Sequence, residues 1–87
     1  MAESVTYSGT VVHHKEDGSE VGTCIAGGSP SWAAVKNKFR DLARAGTAVV
    51  GDQLQIFRHT KDENDNATHK YVGSCKVIRQ HVISCAD

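Results

Sequence analysis

Only one stretch of this chain has the period of a helix, and that restricts what the remainder can be. Trp32, Val35, Phe39 and Leu42 recur at spacings of three, four and three residues, one apolar stripe down one side of a helix. Ser29 ahead of Pro30 offers an N-cap with proline at the first helical position, and Ser31 is the alternative cap. Gly46 stands where a left-handed residue closes such a helix. A lone amphipathic helix has no partner of its own kind, so the flanking sequence must supply a surface for its stripe.

That surface reads as β-structure. Residues 4–14 (SVTYSGTVVHH) and 21–26 (VGTCIA) are rich in β-branched side chains and are separated by the polar KEDGSE. With Glu16 and Asp17 in a type I turn and Gly18 left-handed, the hairpin pairs His13 with Val21, Val11 with Thr23 and Gly9 with Ile25. Val5, Tyr7, Val11, Val21 and Ile25 then share the core face. After the helix come two further runs, 47–59 and 69–83, joined by a turn within 62–67. Val50, Leu54 and Ile56 share a face of the first run. In the second, Tyr71, Cys75 and Val77 compete with Val72, Ile78 and Val82, and a bulge at Gly73 reconciles the two sets. The expectation is a single α+β domain over residues 1–87: an antiparallel four-stranded sheet in ββαββ order with one amphipathic helix on one face.

Ten Lys and Arg balance ten Asp and Glu, so no whole-molecule field draws the chain to nucleic acid or to an acidic membrane. Any electrostatic partner must meet a local patch. The basic ridge of the helix is such a patch: Lys36, Arg40 and Arg44 lie four apart on one flank of the stripe, and Lys38 lies on the other. It is the expected partner-binding surface, suited to an acidic protein surface or, alternatively, to nucleic-acid phosphates.

Most catalytic and cofactor chemistry finds no support. The Gly-Gly-Ser-Pro-Ser stretch before the helix lacks both the phosphate-loop and the dinucleotide patterns, so it reads as capping. No Cys-x-x-Cys or His-x-x-x-His occurs; His59 and His69 flank the second turn and can face each other, but two imidazoles leave zinc short of a ligand. The acidic turn fails as a calcium loop, with Ala67 where glycine belongs and Gly73 where a closing glutamate belongs. Cys24 falls on a face with Thr10, Val12 and His14 and has no orienting carboxylate. No metal, no cofactor and no catalytic residue is therefore expected, and the chain reads as a non-enzyme.

Three cysteines cannot all pair within one chain, and the first residues lack the regions of a signal peptide, so three reduced thiols in a cytoplasmic protein are expected. No apolar run approaches the length of a bilayer crossing. One helix covers only one sheet face, which leaves Val12, Cys24 and Phe57 on the other as an expected dimer face. The functional expectation is an interaction module that binds another protein, as a homodimer. A nucleic-acid-binding module using the helix ridge is the alternative, and a small enzyme with an unrecognised site is the third reading.

Overall fold

The structure is a computed structural model and describes residues 4–86. Five strands and one helix follow in the order β1 (Ser4–His14), β2 (Glu20–Ser29), α1 (Trp32–Arg44), β3 (Gln53–Lys61), β4 (Ala67–Arg79) and β5 (Val82–Ala86). They build one antiparallel sheet with strand order β2-β1-β3-β4-β5. The small α+β class and the single helix agree with the sequence reading, whereas the four-strand ββαββ count does not. The chain turns at Gln80–His81 and adds β5, and His81 takes a left-handed φ of 65° to make that turn. Nothing in Arg79-Gln80-His81-Val82 carries the Gly, Pro or Asn that usually announces a turn.

The first hairpin forms as its turn chemistry dictates. Gly18 is left-handed at φ 89°, its N–H donates to Lys15 O at 3.0 Å, and Asp17 Oδ1 accepts from Ser19 N at 2.9 Å. Thr23 pairs with Val11 and Val21 with His13, as the turn requires. The register then slips, so Gly9 meets Ala26 rather than Ile25. In the second hairpin the slip between Ile56 and Phe57 leaves Val72 unpaired, one residue before the expected Gly73. That slip turns Val72 toward the core and Tyr71 away from it.

Ser29 still belongs to β2, paired with Tyr7, so Ser31 caps α1 and accepts from Ala34 N at 3.3 Å. The helix starts beside Tyr7 and runs back over the sheet. It ends where His81 Nδ1 donates to Ala43 O at 3.0 Å, and Gly46 follows in the left-handed conformation. Because β2 and β3 both run antiparallel to β1, they are parallel to each other, and α1 is the crossover that lets β3 enter beside β1.

The core lies between α1 and one sheet face. Val35, Phe39 and Ala43 from the helix meet Val11, Leu54, Ile56, Cys75 and Val77 from the strands, with Ala48 closing the helix end. Gly9 makes this approach possible: a Cβ there would stand 2.4 Å from Val35 Cγ1 and 2.9 Å from Leu54 Cδ1. Trp32 is only half-buried at the rim, so Phe39 is the principal aromatic of the core. Val21 and Val50, expected inside, are exposed; the segment 45–52 is a loop rather than the start of a strand, with Gly51 at φ 97°.

Cys75 and Cys85 are joined as a disulfide between β4 and β5, which corrects the expectation of three free thiols. Only Cys24 remains free, on the exposed edge strand. The expectation of three thiols failed because β5 was not visible in the sequence, and without it Cys75 and Cys85 have no reason to stand opposite each other. Among the described residues, no helix is long and apolar enough to cross a membrane.

Candidate functional site

The sheet face away from α1 is covered by no element among the described residues, and strand alternation fixes what it presents. Three cross-strand rows occupy its middle: Thr10–Gln55–Ser74, Ser8–Phe57–Tyr71 and Thr6–His59–His69, running over β1, β3 and β4. Phe57 and Tyr71 meet edge to face with ring centroids 5.8 Å apart; Phe57 is half-buried and Tyr71 exposed. Val12 and Gln53 lie further along, and Cys24 pairs with Thr10 at the edge. The expected dimer-face residues Val12, Cys24 and Phe57 therefore do share one face. Their neighbours, however, are hydroxyls and amides, so the face is mixed rather than a continuous apolar patch.

Beside the aromatic pair is a hydrogen-bonded chain that the sequence showed only in part. His59 Nε2 lies 2.6 Å from Ser8 Oγ, and His59 Nδ1 lies 2.5 Å from His69 Nδ1. Their ring centroids are 4.8 Å apart in an edge-on arrangement. The two histidines were legible as a facing pair across the second turn; Ser8 was not, because β1 joins β3 only through the helical crossover. The turn itself is held by Asp62, which accepts from the backbone N–H of Asn64 and of Asn66, each at 2.9 Å. The Asn66 N–H is the main cause that holds the Asp62 carboxyl below its ordinary value.

A second constellation sits at the other end of the core face. Asp52 is buried, at 5 % exposure, and is the only buried charged side chain among the described residues. Its Oδ1 lies 2.5 Å from His13 Nδ1, and its Oδ2 accepts from Val49 N at 3.0 Å. The pair borders a pocket of about 290 Å³ whose wall includes Ile25, Leu42, Val49 and the hydroxyl residues Thr23 and Thr47. A buried carboxylate that fixes the tautomer of a half-exposed imidazole is the geometry of an oriented general base. Here it also does a plainly structural job, fastening β1 to the loop that leads from α1 into β3. His13 and Asp52 are thirty-nine positions apart, and no spacing in the sequence signals the pair.

The helix ridge is in place but not uniformly available. Lys36 Nζ stands 4.3 Å from the Trp32 ring centroid in a cation–π contact, so it is engaged in the fold. Lys38, Arg40 and Arg44 are exposed; Arg40 donates to Asn37 Oδ1 at 3.2 Å, and Arg44 lies in the last turn, where the helix dipole favours a cation. Among the described residues, no group of three or more His, Cys, Asp or Glu side chains is arranged to hold a metal ion. Comparison with known proteins finds no matching family model, no matching curated protein and no matching solved structure.

Proposed function

We propose that this protein is a small non-enzymatic binding module that works through its uncovered sheet face, engaging another protein or a second copy of itself. The observation that carries this reading is the one-sided cover: α1 packs on the face that holds Gly9, Leu54 and Ile56, and nothing among the described residues lies over Phe57 and Tyr71. An aromatic pair set among Thr10, Gln53, Gln55 and Ser74 has the mixed make-up of a reversible interface rather than an obligate one. Sedimentation velocity over a wide concentration range tests the self-association arm. A mass that rises with concentration in the wild type, and stays monomeric in Phe57→Glu, supports it; a monomer at every concentration removes the homodimer.

The ridge of Lys38, Arg40 and Arg44 lies on the opposite, helical side and stays accessible in such a dimer, as a second contact for an acidic protein surface. Replacing Arg40 and Arg44 by Glu should abolish that contact without altering mass. A compartment that keeps disulfides, rather than the reducing cytoplasm expected from the odd cysteine count, is favoured by the Cys75–Cys85 bond.

One observation favours a nucleic-acid reading on the sheet rather than on the helix. Strands β3 and β4 carry Arg58, Lys61, Lys70, Lys76 and Arg79 and no Asp or Glu. Of these, Lys61 and Lys76 alternate onto the face of Phe57 and Tyr71, while Arg58 and Lys70, paired with each other, fall on the opposite face. Phe57 and Tyr71 would then serve as stacking platforms for unpaired bases. Anisotropy of a labelled single-stranded oligonucleotide decides this: binding that weakens as salt rises and is lost in Phe57→Ala supports it, and no binding at low salt removes it.

A further inference from the structure

We propose that His59 and His69 form a copper(II) site, with Ser8 as the positioning residue behind it. The β3–β4 register sets the two histidines directly opposite each other on the uncovered face, with Nδ1 atoms 2.5 Å apart. Two ring nitrogens at that separation cannot both carry a proton, and two bare lone pairs would repel. The gap therefore holds a single electrophile, which is one shared proton in the metal-free chain. A metal ion that replaces this proton must lie to one side of the line joining the two nitrogens, with each ring turned so that its lone pair meets the ion.

Geometry selects the metal. With metal–nitrogen bonds of about 2.0 Å, adjacent ligands of a square-planar ion stand about 2.8 Å apart and those of a tetrahedral ion about 3.3 Å. Besides the turn of each ring, the Nδ1–Nδ1 separation must widen by a few tenths of an ångström for the first and by roughly three times as much for the second. Copper(II) favours tetragonal nitrogen and oxygen surroundings and is the tightest binder of the divalent first-row series, so two imidazoles and water suffice for it where tetrahedral zinc needs further protein ligands. His69 is exposed and His59 partly buried on an open face, which leaves the remaining coordination positions to solvent.

Ser8 supplies the support that metal-bound histidines usually have on their second nitrogen. Its Oγ lies 2.6 Å from His59 Nε2 and so fixes the ring with Nδ1 aimed at His69. A hydroxyl both donates and accepts. When copper displaces the shared proton, that proton passes to the other nitrogen of the ring that held it, and Ser8 accommodates either tautomer of His59. Two neutral imidazoles then donate to the ion, with no change of oxidation state and no net proton lost from the neutral pair.

The test is titration of the intact chain with copper(II) chloride, followed by isothermal calorimetry and by electron paramagnetic resonance. One equivalent should bind with splitting from two imidazole nitrogens, and His59→Gln and His69→Gln should each weaken that binding at least tenfold while their metal-free melting curves stay near wild type. Ser8→Ala should weaken it by about ten- to a hundredfold, with Ser8→Thr restoring it, since loss of such an outer partner has that effect on metal affinity. A wild type that takes up no stoichiometric copper, or a histidine variant that binds as tightly as wild type, overturns the site. Ser8→Ala binding as wild type overturns the role given to Ser8. None of these readouts depends on the partner proposed for the sheet face.

Discussion

The closeness of α1 to β1 at Gly9 can be tested by adding one carbon atom. A Cβ at position 9 would lie 2.4 Å from Val35 Cγ1 and 2.9 Å from Leu54 Cδ1, where carbon atoms pack at about 3.5 to 4.0 Å. Val35 and Leu54 are fully buried, so neither can swing into solvent, and the helix must lift or the strand must bend. Overpacking of this kind costs about 1 to 3 kcal/mol, against a gain of about 0.5 to 1 kcal/mol for removing a glycine from a strand. Gly9→Ala should therefore be destabilised by roughly 1 to 2 kcal/mol, a fall in Tm of about 5 to 15 °C for a domain of this size. The same change at Gly22 is the control. Its Cβ would meet only Thr10 Cγ2 at 3.6 Å, an ordinary contact, so Gly22→Ala should be neutral or more stable. Thermal and urea denaturation followed by circular dichroism, with the disulfide intact, gives both values. Val35→Ala removes the carbon that clashes; alone it costs about 2 kcal/mol, and combined with Gly9→Ala the two should be less than additive by at least about 0.5 kcal/mol. A Gly9→Ala protein as stable as wild type would refute this account of how the helix seats.

The remaining expectations concern other parts of the fold. Thiol titration under denaturing, non-reducing conditions should find Cys24 alone, and Cys85→Ser should lower stability by about 2 to 3 kcal/mol because the bond closes a loop of ten residues' separation; three reactive thiols would contradict the bond. Asp52→Ala strips an acceptor from Val49 N–H and from His13, and should cost about 1 to 3 kcal/mol by urea denaturation with an unchanged m-value. Asp17 is held below its ordinary value chiefly by the Ser19 hydroxyl, and Asp62 chiefly by the Asn66 N–H. Groups lowered on folding add stability above the unfolded value near 3.9 and lose it as pH falls through the lowered folded value. The destabilising effect of Asp62→Ala should accordingly shrink only below about pH 4, and a difference from wild type that persists undiminished at the acid end would count against the turn hydrogen bonds as its source.

What the sequence made legible was local. The turn at Glu16-Asp17-Gly18 announced both its position and its register, and the stripe from Trp32 to Leu42 announced the helix and its inward face. Alternation along β1 and β3 correctly put Val12 and Phe57 together on the face away from the helix. The failures share a cause, namely contacts supplied from elsewhere in the chain. Val49 and Val50 have the composition of a strand, but the loop they occupy is fixed by Asp52 Oδ2 accepting from Val49 N–H and by left-handed Gly51. Ser29 lost the cap to Ser31 because Tyr7 holds it in the sheet. Tyr71 reached the open face only because Val72 bulges. At the candidate site, the histidine pair was readable across its own turn, while Ser8 and the His13–Asp52 pair depend on the crossover that lays β3 beside β1.

That crossover has a consequence for how the chain can fold. The β1–β2 and β3–β4 hairpins close over short loops, but the ladder that unites them pairs Ser4 with Lys61 and Val12 with Gln53, and nothing shortens that loop until the helix between them has formed. Pairings this distant in sequence are slow to close, because the chain entropy is lost before the contacts repay it. During synthesis the helix emerges with Val35 and Phe39 while their partners Leu54 and Ile56 are still unmade, so its apolar stripe has only the first hairpin to rest on. The joining of β1 to β3 is thus the step at which the central core and the three-strand rows of the open face come into being together, and substitutions along that seam should slow folding more than those in either turn.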